Sequence, residues 1–322
     1  LFFLSGTGST WLTSLLTGEQ PACSFGPTTT GISFLGFEPL CCVHAGTETD
    51  YNASSSLTLL TALASGADGS PTALGPASEG LAAAWANAGA HGHLNRTAAA
   101  SASALGIKLR GVPHHFSKES RLLDAVQRWQ GGRGAIVTML RRSALRRAVS
   151  VVRRANGLGD HAHGGNISRV GPLPLWQTVE AYHMTKELEA NLIAQTALFS
   201  SYQTPASLPA SLVRHAHVMN LVTRAFKASI GDSASFRAAS HDSRISSLRR
   251  FASLRESALS SSMDAVREVH RVARRFSAAR SSWPRYGVQL ITYEELQEDP
   301  AGTLAGTCSL LGGTATSAAA HL

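Results

Sequence analysis

The chain has 322 residues, 43% of them hydrophobic and 16% charged, with a formal net charge of +8. At about 150 residues per domain the length is about two domains' worth, although large α/β domains often run this long as one unit, and the composition excludes a disordered chain, a collagen, a coiled coil and a low-complexity scaffold. No apolar run approaches the ~20 residues that cross a bilayer, so these residues are expected not to span a membrane.

In chain order, Leu1, Phe2, Phe3 and Leu4 read as an apolar strand. The start has no initiator Met, basic n-region or cleavage site, so it reads as a core strand whose upstream sequence is missing. Ser5-Gly6-Thr7-Gly8-Ser9-Thr10 is a turn, and residues 11–16 a helix. Residues 52–105 are rich in Ala, Ser and Gly without periodicity, and read as an insertion of loops or weak helices. A short strand is expected over 106–110 and a helix over 117–130. The apolar run 134–140 has the pattern of a buried parallel strand leading into Arg141 and Arg142. Helices follow over 144–154, 176–199, 208–226 and 244–279, then a strand over 288–293 and a helix over 303–311. Strands separated by helices imply a parallel sheet with right-handed crossovers.

Charge is unevenly spread. Residues 1–100 contain one basic residue, Arg96, against six acids, so the positive charge lies downstream and should attract anions. All but four of the 29 cations are arginines, the side chain suited to bidentate phosphate or sulfate recognition; a GC-rich genome produces the same bias. The four cysteines, Cys23, Cys41, Cys42 and Cys308, lack CxxC metal spacing and leave room for one disulfide. Three sequons, at Asn52, Asn95 and Asn166, fit a secretory-pathway glycoprotein.

Two segments carry candidate chemistry. A strand entering a Gly/Ser/Thr turn and then a helix gathers free amides, hydroxyls and the positive end of the helix dipole, which suits an anion. The turn lacks GxxxxGK[ST] spacing and a lysine, which argues against magnesium-dependent nucleotide hydrolysis and a P-loop kinase. Further on, Arg142 ends a strand and Ser150 lies eight residues later in the next helix, so a guanidinium and a hydroxyl could converge on one phosphate. A one-residue slip would give Arg141 that role. Arg146, Arg147, Arg153 and Arg154 read as a solvated basic face.

These segments resemble those of sulfotransferases that use 3'-phosphoadenosine 5'-phosphosulfate. Gly8-Ser9-Thr10-Trp11-Leu12 resembles the family's 5'-phosphosulfate loop, and the Arg142-to-Ser150 spacing its 3'-phosphate motif. Tyr293-Glu294-Glu295-Leu296-Gln297-Glu298-Asp299-Pro300, closing with Leu310-Leu311-Gly312, resembles its C-terminal "YEDL…P…FLG" segment. The blocks occur in the family's order and cover about a third of the chain. Phe37-Glu38-Pro39 is similar to the "YEP" segment of carbohydrate members, whose Glu is the suggested base.

The resemblance implies one domain over 1–322 with a three-layer, P-loop-like α/β fold, a central parallel sheet flanked by helices. It implies sulfuryl transfer from the phosphosulfate donor to a hydroxyl acceptor, with a glycan favoured and no metal or nucleic acid. The donor-binding residues would be Thr7, Gly8, Ser9, Thr10, Trp11, Arg142 and Ser150. Glu38 would be the base, with His114 or His115 as rivals, and Tyr293 and Glu294 would be structural. Family members often carry a cation where this chain has Gly6; Lys108 or Arg110 would replace it. A Golgi lumen location is expected, with any membrane tether upstream of residue 1; a soluble intracellular location is the alternative. The competing reading is a non-catalytic polyanion-binding protein that keeps the fold, supported by the missing cation and by Arg249, Arg250, Arg267, Arg271, Arg274 and Arg275.

Overall fold

A computed structural model describes residues 1–4, 7–17, 21–26, 32–34, 104–106, 108–110, 135–156, 173–201, 209–230, 240–279 and 287–317. They form a mixed α/β structure in which helix predominates. In order the elements are β1 (Phe2–Phe3), α1 (Ser9–Thr17), β2 (Cys23–Ser24), β3 (Ile32–Phe34), β4 (Ala104–Gly106), β5 (Leu109–Arg110) and β6 (Ile136–Leu140). There follow α2 (Ala144–Ala155), α3 (Leu175–Ser201), α4 (Ala210–Ile230), α5 (His241–Ser260) and α6 (Met263–Ala278). The last are β7 (Val288–Thr292), α7 (Tyr293–Glu298), α8 (Pro300–Leu310) and β8 (Thr314–Ala315).

Four strands make one sheet in the order β5-β1-β6-β7, with every neighbouring pair parallel. All five residues of β6 are buried, as its unbroken apolar run requires. Alternation along the strand then divides the interior. Ile136 and Leu140 join a core built with α2 to α6, whereas Val137 and Met139 join a second core with Leu12 and Leu16 of α1 and Leu304 of α8. Thr138 would be an orphaned hydroxyl in the first of these environments; it bonds Thr196 of α3 at 2.9 Å. The second core also holds a disulfide between Cys23 and Cys308, which ties β2 to α8 across 285 residues of chain.

Several expected boundaries shift, each for a local reason. The strand over 106–110 is two strands: β4 pairs with β3, and β5 pairs with β1. The helix over 244–279 breaks at Ser261 and Ser262, which cap α5 and α6 respectively. The last sheet strand stops at Thr292 rather than 293, because the Thr292 hydroxyl and Glu295 carboxylate form a reciprocal capping box that starts α7. The final helix begins at Pro300, three residues early, with Asp299 accepting from the Gly302 amide. Arg147 is buried, not part of a solvated face, and donates to Thr185 of α3 at 2.9 Å. The helix expected over 117–130 and the 52–105 insertion up to residue 103 lie outside the described residues. Among the described residues no helix is long and apolar enough to cross a membrane.

The helical core contains a polar chain that joins three helices. Gln195 donates to Asn191, Asn191 Nδ2 to His215 Nδ1 at 2.8 Å, and His215 Nε2 to Glu187 at 3.0 Å; His270 Nε2 donates to the same carboxylate at 3.0 Å. This order fixes the amide and imidazole orientations by satisfying each partner in turn. Burial pushes the Glu187 carboxyl up, but the two imidazole hydrogen bonds outweigh it and bring the group down to about 2 from 4.5. A lowered carboxylate contributes stability that is present above pH 4.5 and lost as pH falls towards 2. Glu187→Gln is therefore expected to cost roughly 1–3 kcal/mol at pH 7, since the imidazoles lose a charged acceptor. Urea unfolding across the acid range should show that gap closing as wild type itself protonates; equal midpoints at pH 7 would contradict the assignment.

Candidate functional site

Because the sheet is parallel, β1, β6 and β7 all deliver their following residues to one edge. The chain leaves β1 towards β5 on one side and returns as β6 on the other. Such a reversal of strand order opens a crevice at the carboxyl ends, here between β1 and β6. The residues arriving there are the three blocks picked out in the sequence: the Thr7–Trp11 turn, Arg141 and Arg142, and the segment from Tyr293 to Glu298.

Tyr293 joins them. Gly8 has φ +82°, and a Cβ built on it would lie 2.8 Å from Tyr293 Cε2 and closer still to Cδ2. Glycine is thus required twice, for its backbone angle and for the close approach of the ring. Trp11 meets the same ring edge-on, with centroids 5.6 Å apart, and the Arg141 guanidinium sits 4.7 Å from its centroid. Arg141 Nε is buried without a hydrogen-bond partner among the described residues, so the ring is its main anchor.

The turn supplies backbone donors. The first helical bond of α1 runs from Leu12 N–H to Gly8 C=O at 3.2 Å, which leaves the amides of Ser9, Thr10 and Trp11 without intrahelical acceptors. Thr7 is fully buried and its hydroxyl donates to Leu4 C=O at 2.8 Å, so that hydroxyl braces the turn instead of facing a ligand. Thr10 is exposed and Ser9 buried.

Arg142 is held by two glutamates of α7. Its amide donates to Glu294 Oε2 at 2.8 Å, and its guanidinium makes a bidentate pair with Glu298, both bonds 2.9 Å. The side-chain hydrogen bonds to Glu298, with the charges of Glu298, Glu295 and Glu294, raise the guanidinium's pKa still further. The pair is exposed. Ser150 is half-buried on α2 and makes no hydrogen bond to Arg142. A hollow of about 320 Å³ beyond Glu298 is lined by Glu295, Glu298 and Asp299, the wrong sign for an anion. The cationic side of the crevice is the one bearing Arg141 and Arg142.

Other expected residues are not gathered here. Strand register sets Leu109 beside Phe2, which puts the buried Lys108 level with Leu1, about 10 Å of strand rise before the chain leaves β1 for the turn. Glu38, His114 and His115 lie outside the described residues. Sequence reasoning gave no role to Glu298 or Glu189. Glu189, on α3, is pushed up from 4.5 to about 7, first by burial and then by Glu294, against the pull of Arg147 and Lys186. Nothing in the helical pattern of α3 marks it; only the packing does. Among the described residues no cluster of three or more His, Cys, Asp or Glu could hold a metal ion.

Comparison of the chain with models of known protein families, with curated proteins and with solved structures finds no match. The site's chemistry therefore rests on its own geometry. Gly8→Ala is expected to cost roughly 1–3 kcal/mol, because the residue must keep a left-handed angle while its methyl displaces Tyr293. Thermal unfolding of Gly8→Ala checks this, and a midpoint equal to wild type would remove the Gly8 contact from the account.

Proposed function

We propose that the chain is a sulfotransferase that takes a sulfuryl group from 3'-phosphoadenosine 5'-phosphosulfate and passes it to a hydroxyl acceptor, with a glycan favoured. The observation that carries this reading is the meeting of three family-like blocks around Tyr293 at the carboxyl edge of a parallel sheet. The proposal includes a three-layer, P-loop-like arrangement, for which the division of β6 side chains between two cores is the support.

In this reading the donor's 5'-phosphosulfate rests on the amides of Ser9, Thr10 and Trp11 at the positive end of α1, while Arg142 takes the 3'-phosphate. The acceptor oxygen bonds to sulfur, the bond from sulfur to the phosphate oxygen breaks, and the acceptor proton passes to a base. Glu38 remains the proposed base. The chemistry asks for positioning and charge stabilisation and needs no metal step. The Cys23–Cys308 disulfide supports an oxidising compartment such as the Golgi lumen.

Arg142 must exchange Glu298 for phosphate. An exposed ion pair is weak, so the exchange is easy, and the 3'-phosphate offers the guanidinium a bidentate acceptor of higher charge than the carboxylate. A second reading, a non-catalytic polyanion binder, is favoured by the exposed Arg249 and Arg250 of α5 and Arg274 and Arg275 of α6. Salt-sensitive heparin binding without nucleotide binding would select it.

Calorimetric titration with 3'-phosphoadenosine 5'-phosphate separates the two. The sulfotransferase reading expects one site per chain, weakened about tenfold or more in Arg142→Ala, and equal or modestly tighter binding in Glu298→Gln. Absence of binding, with ATP and magnesium equally silent, would overturn it.

A further inference from the structure

The crevice receives two arginines, and they are held differently. Arg142 is exposed, and its fork is already filled by the Glu298 carboxylate, with both bonds 2.9 Å. Arg141, half-buried beside it, pairs with no carboxylate among the described residues. Its Nε is buried without an acceptor among them, and its guanidinium lies 4.7 Å from the centre of the Tyr293 ring. A cation over an aromatic face is attracted to it without being neutralised, so the fork keeps its charge and its donors. A buried donor without an acceptor is uncommon and asks for a partner. The same ring is met at its edge by Gly8, where a built Cβ would lie 2.8 Å from Cε2, and by Trp11, with centroids 5.6 Å apart. One ring therefore stands between the Arg141 guanidinium and both ends of the amide turn.

We propose that Arg141 is the cation of the 5'-phosphosulfate subsite and stabilises the phosphate oxygen that leaves sulfur. The proposal rests on the sulfotransferase reading above and adds a catalytic residue to it. The amides of Ser9, Thr10 and Trp11 supply dipoles, but residues 5–12 include no Lys or Arg. Lys108 stands level with Leu1, about 10 Å of strand rise before the turn, and Arg142 is assigned to the 3'-phosphate. Arg141 is the guanidinium that shares the Tyr293 ring with the turn.

As the acceptor oxygen bonds to sulfur, the sulfur–oxygen bond to the phosphate breaks and its electron pair remains on the phosphate oxygen; the acceptor proton passes to the base. The leaving phosphate gains negative charge in this step, so a fixed guanidinium binds it more strongly in the transition state than in the ground state. The ring holds Arg141 before the donor arrives, whereas Arg142 must first release Glu298. The two arginines then divide the donor. Arg141 serves the 5' end, where charge develops, and Arg142 the 3' end, where it does not.

Calorimetry and phosphorus-31 spectra of the full chain with 3'-phosphoadenosine 5'-phosphate test this division, because the nucleotide's two phosphates resonate separately. R141M keeps a stem over Tyr293 and removes the charge. It should weaken binding about tenfold or more and move the 5'-phosphate signal while the 3'-phosphate signal stays. R142A should weaken binding and move the 3'-phosphate signal instead, and R141K should recover part of the R141M loss. Wild-type affinity in R141M, or movement of the 3'-phosphate signal in its place, overturns the role of Arg141 and leaves the sulfotransferase reading standing. No binding by wild type overturns that reading and this one with it. Should R141M fail to fold, nitrogen-15 spectra of arginine-labelled wild type decide: two guanidinium groups should shift at saturation with the bisphosphate, and a single shifting group overturns the proposal.

Discussion

The contact between Gly8 and the Tyr293 ring holds the candidate site together. It brings the turn after β1 against the residue that follows β7, although 285 positions separate them in the chain. Between these two lies β6, whose following residue Arg141 closes over the ring. Three loops from three strands are thus assembled on one aromatic face. The sheet makes this possible, because parallel strands send their carboxyl ends to the same edge. Any side chain larger than hydrogen at position 8 would drive the ring away and loosen both Trp11 and Arg141.

Around this hub, charge is arranged in layers. The amides at the start of α1 and the guanidinium of Arg142 offer positive character, whereas Glu294 and Glu298 form an acidic flank. The acids orient the arginine without cancelling it. Glu294 fixes the backbone at Arg142, and Glu298 holds the fork through an exposed and readily exchanged pair. The helical core behind is held by a different polar device, the Glu187 carboxylate clasped by imidazoles from α4 and α6. That clasp ties the helices to one another and leaves the crevice free.

Much of this frame was legible in the residues. The unbroken apolar run of β6, the Gly8 turn and the Tyr293 block pointed to a parallel sheet and an anion-binding edge, and the parallel sheet is present. The boundaries that failed did so at local caps and turns: the Thr292/Glu295 capping box ended a strand, and the chain turns at Ser261 and Ser262 between α5 and α6. Arg147 read as surface because it falls among Arg146, Arg153 and Arg154 on one basic helix, yet α3 packs over it and Thr185 receives it. Lys108 could not be placed from its strand alone, because pairing register decides which end of the sheet it reaches. Glu189 was invisible for the same reason: its character comes from what packs on it.

The central claim is that the edge gathered by Tyr293 binds a nucleotide bisphosphate. A crystal structure of the protein with 3'-phosphoadenosine 5'-phosphate tests it most directly. The account predicts the 5'-phosphate on the amides of Ser9 to Trp11, the 3'-phosphate on Arg142, and the Glu298 carboxylate displaced from the guanidinium. A bisphosphate bound on the arginines of α5 and α6, with the Arg142–Glu298 pair intact, would contradict it.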